Sequence, residues 1–324
     1  MSIRAKLGIS KRYILNQISR NGIVLLYHRV WDYKLDPQLL AVKPDHFYDQ
    51  MVHLKRKYLP LEAEEYFDLF YRNRIPRRSV LLTFDDGYAD NYEHARPILE
   101  SLGLQATIFI TTSKIGKQEE LWWDELERIF LLDNPIPQNL HLNINNQSKH
   151  LKTNTKKDRL NTYNEMHIIL KYSIPSVRDS YIAEMQDWAG INRVGRYEYR
   201  LVNDNEIKAM HRSKAIIVAA HTHNHPALSC LNYEEQLFEI QYSKTKLEAI
   251  IDDKVEYFSY PFGSRKDYNQ DSIRIIKELK FKAAAANYYG HIHTWTSPFE
   301  YPRILIRDWK KNEFESQMNK FIKY

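Results

Sequence analysis

Ser79-Val80-Leu81-Leu82-Thr83-Phe84-Asp85-Asp86-Gly87-Tyr88 is an apolar run of strand length that passes directly into two adjacent carboxylates and a glycine. Such a run fits a buried β-strand. In parallel αβ folds the C-terminal ends of the strands carry the active site, so the carboxylates stand where catalysis would need them. Taken alone, Asp-Asp-Gly is equally turn chemistry that caps a helix starting near Ala89.

Six more runs of this kind lie along the chain, at 22–28, 105–111, 215–221, 256–261, 281–286 and 303–307. Helical patterns separate most of them. Phe47, Met51, Leu54 and Tyr58 recur at helical spacing after Pro44, and Asn232 with Glu235 opens a pattern that continues through Leu237, Ile240, Lys244 and Leu247. The alternation predicts parallel βα units, either a barrel or a doubly wound sheet. It breaks once: about a hundred residues separate Thr112 from Lys214, too many for one crossover. The chain is therefore read as one domain over 1–324, with a barrel at about 22–115 and 205–310 and an insertion at about 116–204. Leu121 to Leu132 and Val177 to Ala189 are helix-like pieces of the insertion, and Asn139 to Lys157 is its polar middle.

The formal charge of +6, from 47 basic and 41 acidic residues, is mild and forms no dense stripe, which argues against a nucleic-acid partner. A single cysteine, Cys230, excludes an intrachain disulfide and thiolate metal clusters. No apolar stretch suits a signal peptide or a membrane span, so a cytoplasmic location is expected. Ile3, Leu7, Ile14, Leu15 and Ile18 with Arg4, Lys6, Lys11 and Arg12 form an amphipathic pattern. It fits a solvated or packed terminal helix, with peripheral membrane contact through residues 1–20 as the alternative.

The second chemical cluster is His221-Thr222-His223-Asn224-His225-Pro226 at the end of run 215–221. Neutral imidazole is the commonest protein metal ligand, and three such rings in five residues have little use in a core. Pro226 disfavours helical geometry at His225, so His221 is expected to close the strand and His225 to return from the loop to the same point, with His223 aimed elsewhere. Two histidines and an aspartate leave coordination positions open, as in a catalytic metal site. The third cluster is Phe258-Ser259-Tyr260-Pro261-Phe262-Gly263, a strand breaking into a turn whose backbone N–H groups can stabilise an oxyanion and whose rings can stack on a sugar.

These three boxes, in this order, resemble those of the polysaccharide deacetylase family (the NodB homology group, carbohydrate esterase family four), over about Gly22 to Trp309. The resemblance implies a distorted (β/α)7 barrel with a helical insertion and metal-dependent hydrolysis of N-acetyl groups on amino sugars. It implies Asp85 as general base, Asp86, His221 and His225 as ligands of a divalent metal, and zinc as that metal. Two departures stand out. Many members carry an arginine at the start of the third box where this chain has Ser259, and the family's C-terminal acid histidine is missing after Arg303. Leu26-Tyr27-His28-Arg29-Val30 is similar to the N-terminal histidine motif of the circularly permuted, poly-N-acetylglucosamine deacetylase-like branch. His28 is accordingly expected as general acid and Arg303 as the substitute partner of Asp85. Tyr260, Phe262 and Trp309 are the expected substrate-binding residues, and Trp122 and Trp123 fit core packing or sugar stacking. The expected partner is an N-acetylated glycan or glycolipid precursor. Two other functions fit the same residues: an amidohydrolase acting on a non-sugar amide, and a catalytically silent carbohydrate-binding protein.

Overall fold

The computed structural model describes residues 21–144 and 146–323, so the amphipathic pattern of residues 3–18 lies outside the described residues. All seven apolar runs are strands: β1 (Asn21–Tyr27), β2 (Ser79–Phe84), β3 (Ala106–Ile110), β4 (Ile216–Ala220), β5 (Tyr257–Ser259), β6 (Ala283–Ala285) and β7 (Ile304–Leu305). They form one curled parallel sheet in the order β6-β5-β4-β3-β2-β1-β7. A parallel bridge between Ala285 and Tyr301, just before β7, brings its two edges together.

Alternation along these strands decides what faces where, because successive side chains point to opposite sides of a strand. Val24, Leu81, Phe109, Ala219, Tyr257 and Ala285 belong to the inner cluster. Their neighbours Leu25, Leu82, Ile108, Val218, Phe258 and Ala284 pack under the surrounding helices. Tyr66, Phe67 and Phe70 of the helix Ala63–Tyr71 join the inner cluster and plug its N-terminal end. The ten α-helices among the described residues are α1 (Pro44–Lys57), α2 (Ala63–Tyr71), α3 (Arg96–Leu102), α4 (Trp122–Phe130), α5 (Lys156–Lys171), α6 (Pro175–Ala189), α7 (Asp204–Arg212), α8 (Tyr233–Ile251), α9 (Gln270–Glu278) and α10 (Lys311–Lys323). Asn232 and Glu235 make the reciprocal cap of α8 that their spacing predicts.

The insertion between β3 and β4 has an apolar cluster of its own, built on Trp123, Leu126, Phe130, Met166 and Met185, which reaches Phe262 at the barrel. The polar middle is more ordered than its composition suggested. Asn139–Ile144 and Gln147–Lys152 pair as an antiparallel hairpin with Leu140, Leu142 and Ile144 buried, and α5 follows it. No described helix is long and apolar enough to cross a membrane.

Candidate metal and hydrolytic centre

The three chemical clusters meet at the C-terminal end of the barrel. The Asp85 amide donates to the Tyr27 carbonyl at 3.1 Å, so Asp85 and His28 leave neighbouring strands at one level. Following the alternation upward, Val24 leads to His28, Leu81 to Asp85, Ala219 to His221 and Tyr301 to Arg303, all in the inward register. Asp86 then turns sideways with φ 76°, and Gly87 follows at φ 81°. A Cβ on Gly87 would lie 2.8 Å from Ile110, so only glycine lets the turn lie this close to β3.

Asp86, His221 and His225 bring one ligand atom each to within 4.8 Å of one another, and all three residues are buried. Asp86 Oδ1 lies 3.6 Å from His221 Nε2 and 3.4 Å from His225 Nε2. His225 reaches this point because Thr222 and His225 both take left-handed backbone, φ 62° and 53°. His221 Nδ1 donates to the Ser259 carbonyl at 2.7 Å, which turns the lone pair of Nε2 toward the trio. Burial pushes the His221 pKa down to about 4 and the His225 pKa down to about 3, so both rings are neutral near pH 7. Burial raises the Asp86 carboxyl. Two neutral imidazole nitrogens and a carboxylate oxygen converging in a buried pocket fit a divalent cation such as Zn²⁺. His223 is turned away, its Nδ1 2.9 Å from Thr112 Oγ1 and its ring against Phe238 and Tyr242.

Asp85 has different partners. Arg303 holds it bidentately, Nη1 to Oδ1 at 2.7 Å and Nη2 to Oδ2 at 2.6 Å. Arg303 also donates to Ser259 Oγ at 2.8 Å, and Ser259 Oγ to Asp85 Oδ2 at 3.3 Å. The small Ser259 side chain thus shares the space with a guanidinium that arrives from the last strand. Burial alone would raise the Asp85 carboxyl, but the charges of Arg303 and His221 and the Arg303 hydrogen bonds hold it well below the usual carboxylate range. Asp85 is an ionised carboxylate at any ordinary pH. His28 is buried, and its Nδ1 has no partner among the described residues. Burial lowers its pKa, opposed by the fields of Asp86 and Asp85.

Phe262, at φ 60°, stands edge-on to His225 at 4.7 Å and is half-buried at the rim. Tyr260 does not reach the rim. It follows the inward Ser259 and so points outward, stacked on Tyr268 at 4.2 Å with its hydroxyl donating to the Phe299 carbonyl. Trp309 packs on Phe321 of α10, and its carbonyl accepts from Gln50. The Tyr260 ring is therefore not offered to a ligand at this mouth. His291 Nε2 donates to the Phe321 carbonyl at 2.6 Å, and the backbone of His293 pairs with Asn21 at the opposite rim.

Around the centre stand Trp123, read from the sequence as core or sugar-stacking, and other residues that carried no short-range signal. Trp123 of α4 covers His225 at 4.6 Å and donates to the Tyr88 hydroxyl at 2.8 Å, which donates to Asp124 at 2.6 Å. Glu239 of α8 accepts from the His223 and Asn224 amides, and Arg178 of α6 donates to the Asn224 and His225 carbonyls. The ligand loop is thus clamped from both sides, by the helix that follows it and by a helix of the insertion. Helical periodicity could place these residues on buried faces but not over a particular loop.

Comparison with known proteins agrees with this geometry. A family model described as polysaccharide deacetylase matches residues 72–136 and 184–284, about half of the chain. The protein YxkH of Bacillus subtilis (strain 168), whose name places it among the polysaccharide deacetylases, is 42% identical over 52 residues. That match spans 16% of this chain and 19% of YxkH. The structure of the Streptococcus pyogenes deacetylase PplD in complex with acetate aligns with TM-score 0.61 and 20% identity, over 93% of this chain and 99% of that one. IcaB from Ammonifex degensii aligns with TM-score 0.59 and 18% identity, over 94% and 98%. At these identities the two structures show the shared fold.

Proposed function

The chain belongs to the polysaccharide deacetylase family, and on that premise we propose that it hydrolyses N-acetyl groups of an amino-sugar glycan or glycolipid precursor at the barrel mouth. The observation that carries this reading is the division of labour between two adjacent aspartates. Asp86 faces two imidazoles, whereas Asp85 faces a guanidinium.

Asp86, His221 and His225 would hold a divalent metal, with zinc suited to the donor set. When bound, that ion would polarise the acetamide carbonyl and acidify a water molecule. Asp85, kept ionised and oriented by Arg303, takes the proton of the attacking water. His28, on the neighbouring strand, delivers a proton to the departing nitrogen, so the C–N bond breaks to acetate and a free amine. A main-chain N–H near Phe262 would, with the metal, stabilise the oxyanion of the tetrahedral intermediate. The contact of Arg303 with Asp85 supports competence and counts against a silent binding protein, because the cation absent at position 259 has a substitute.

Metal analysis of the purified protein, coupled to acetate release from a panel of N-acetylated glycans and glycolipid precursors, tests the proposal. A stoichiometric divalent metal and acetate that disappears on chelation are expected. Ring-opening hydrolysis of small cyclic amides, with no acetate released from any N-acetylated sugar, would overturn the sugar assignment. His28→Ala should keep the metal, lower turnover on N-acetyl amides and remove the alkaline limb of the pH profile, since an acid loses its proton as pH rises through its pKa. Near-normal turnover in this variant would make His28 structural.

A further inference from the structure

The turn at Asp86 and Gly87 leads into a feature that the reaction above leaves unused. After Asp90 the chain makes one π-helical turn, Asn91–Ala95, before α3. Such wide turns are rare and recur at functional sites. This one is packed against the segment that starts at His28. Asn91 Nδ2 donates to the His28 carbonyl at 2.9 Å. Asp90 Oδ2 accepts from Arg29 Nε at 2.9 Å, and Asp90 Oδ1 accepts from the Val30 amide at 3.0 Å. The His94 ring lies 4.7 Å from the Trp31 ring. Residues 28 to 31 are therefore each held by residues between 90 and 94, which fastens the segment with the proposed acid to the segment with Asp85 and Asp86.

Two complementary atoms of this junction are unpaired among the described residues. Asn91 is fully buried, and its Nδ2 faces two acceptors, the His28 carbonyl and Asp90 Oδ1, each at 2.9 Å. That fixes the orientation of the amide and leaves Oδ1 as a buried acceptor to which nothing donates. His28 Nδ1 is buried and unpaired as well. A protonated imidazole donates from both ring nitrogens, and the partner of one nitrogen sets the tautomer and aim of the other. The fields that reach His28 come from Asp86, Asp85, Arg303 and His221. Asp85 is committed to Arg303, and Asp86 faces the two ligand imidazoles. Asn91 Oδ1 is thus a free acceptor on a side chain already bound to the main chain of His28. Catalytic hydrogen bonds are often long in the free enzyme and tighten in the substrate complex.

We propose that Asn91 is the positioning residue of His28, holding its carbonyl through Nδ2 and accepting from its Nδ1–H through Oδ1, so that Nε2 is the nitrogen aimed at the departing amine. The role rests on His28 being the acid of the proposed deacetylation. Once Nε2 has passed its proton to the amine, the ring is neutral with its hydrogen on Nδ1, the tautomer that Oδ1 stabilises. A carboxylate in this place would favour the charged ring and oppose the transfer, whereas a neutral amide orients the ring without holding back its proton.

Two readouts on the full-length, metal-loaded protein test this. Ring-nitrogen NMR, with the His28 signals assigned by their loss in His28→Ala, shows which nitrogen carries the hydrogen of the neutral ring. The wild type should carry it on Nδ1, and Asn91→Leu should move it toward Nε2. Acetate release is measured on an N-acetylglucosamine oligomer and on phenyl acetate, whose leaving group needs no proton. Asn91→Leu should lower the amide-to-ester ratio of kcat by at least about tenfold with KM little changed, and should lower it no further in a His28→Ala background. Thermal melts establish folding, and Asn91→Ser, the smaller change, takes the place of Asn91→Leu if the latter does not fold. An unchanged ring spectrum in the folded variant, or a further fall of the ratio in the His28→Ala background, would overturn the assignment. If the wild type releases no acetate from any N-acetylated sugar but the ring hydrogen still moves in the variant, the deacetylase reading falls and the positioning of His28 by Asn91 stands.

Discussion

At the N-terminal rim of the barrel Arg78, Lys214, Asp252 and Lys280 take left-handed backbone, with φ of 64°, 58°, 54° and 58°. At the mouth Asp86, Thr222, His225 and Phe262 do the same, with φ of 76°, 62°, 53° and 60°. The local cost is similar at both ends, about 1–2 kcal/mol for each non-glycine residue. The surroundings are not. All four at the N-terminal rim are exposed and merely redirect the chain, whereas at the mouth Asp86, Thr222 and His225 are buried and the turn aims a side chain at the centre. The same backbone state is therefore incidental at one rim and tied to chemistry at the other, and substitutions at the two rims should have opposite effects.

The largest expected effect is at the ligands. His221→Ala and His225→Ala should each empty the metal site and abolish acetate release, while His223→Ala, two residues from each of them, should keep both. Metal content by mass spectrometry decides, and equal loss in His223→Ala would remove the distinction drawn between the rings.

The next effect separates the aspartates. Asp85→Asn should retain the metal and lose roughly 10²–10⁴-fold in turnover, as expected for a general base. Arg303→Met should leave Asp85 buried without its cation and cost about 3–5 kcal/mol in stability by denaturant unfolding. An emptied metal site in Asp85→Asn would exchange the roles of the two carboxylates.

A smaller effect follows from protonation. His221 and His225 titrate near 4 and 3 in the fold, below about 6.5 for a free imidazole. The native state thus binds fewer protons than the unfolded chain between these values. Their contribution to stability is complete above about pH 6.5 and is lost as pH falls toward the folded pKa. The metal-free protein should melt progressively lower across that window, with a shallower slope in His221→Gln. Identical slopes would place the acid sensitivity elsewhere.

The smallest effect belongs to the opposite rim. Lys280→Gly and Asp252→Gly should each stabilise by up to about 1 kcal/mol without touching turnover, because glycine relieves the left-handed strain at some cost in unfolded-state entropy. Destabilisation in both would show that these turns do more than connect.

The strands and the meeting of Asp85, Asp86, His221 and His225 were legible because apolar runs of strand length end in the residues that matter. Arg303 was suggested only by the resemblance; the structure puts it in the inward register of Asp85, two residues beyond Tyr301. The same register argues against Tyr260: with Ser259 pointing inward, its successor must point out, and a reading by motif alone passes over that parity. The hairpin at 139–152 was hidden by composition, although Leu140, Leu142 and Ile144 alternate in the sequence as strand residues do. Arg178 and Glu239 were not legible, since each acts on the ligand loop from a helix, α6 in the insertion and α8 beside the barrel, whose placement depends on tertiary packing; Trp123 was read as core or sugar-stacking, but its contact with His225 was not.

The distance along the chain between Asp85 and Arg303 has a consequence in time. They are 218 residues apart, and synthesis at about 5–20 residues per second separates their appearance by roughly 11–44 s. Over that interval β1, β2 and β3 exist while the cation that offsets the burial of Asp85 does not. A nascent chain can pair its first strands, but closing their mouth would desolvate a lone carboxylate. Assembly of the catalytic end should therefore be among the last events of biosynthesis, timed by the arrival of one arginine.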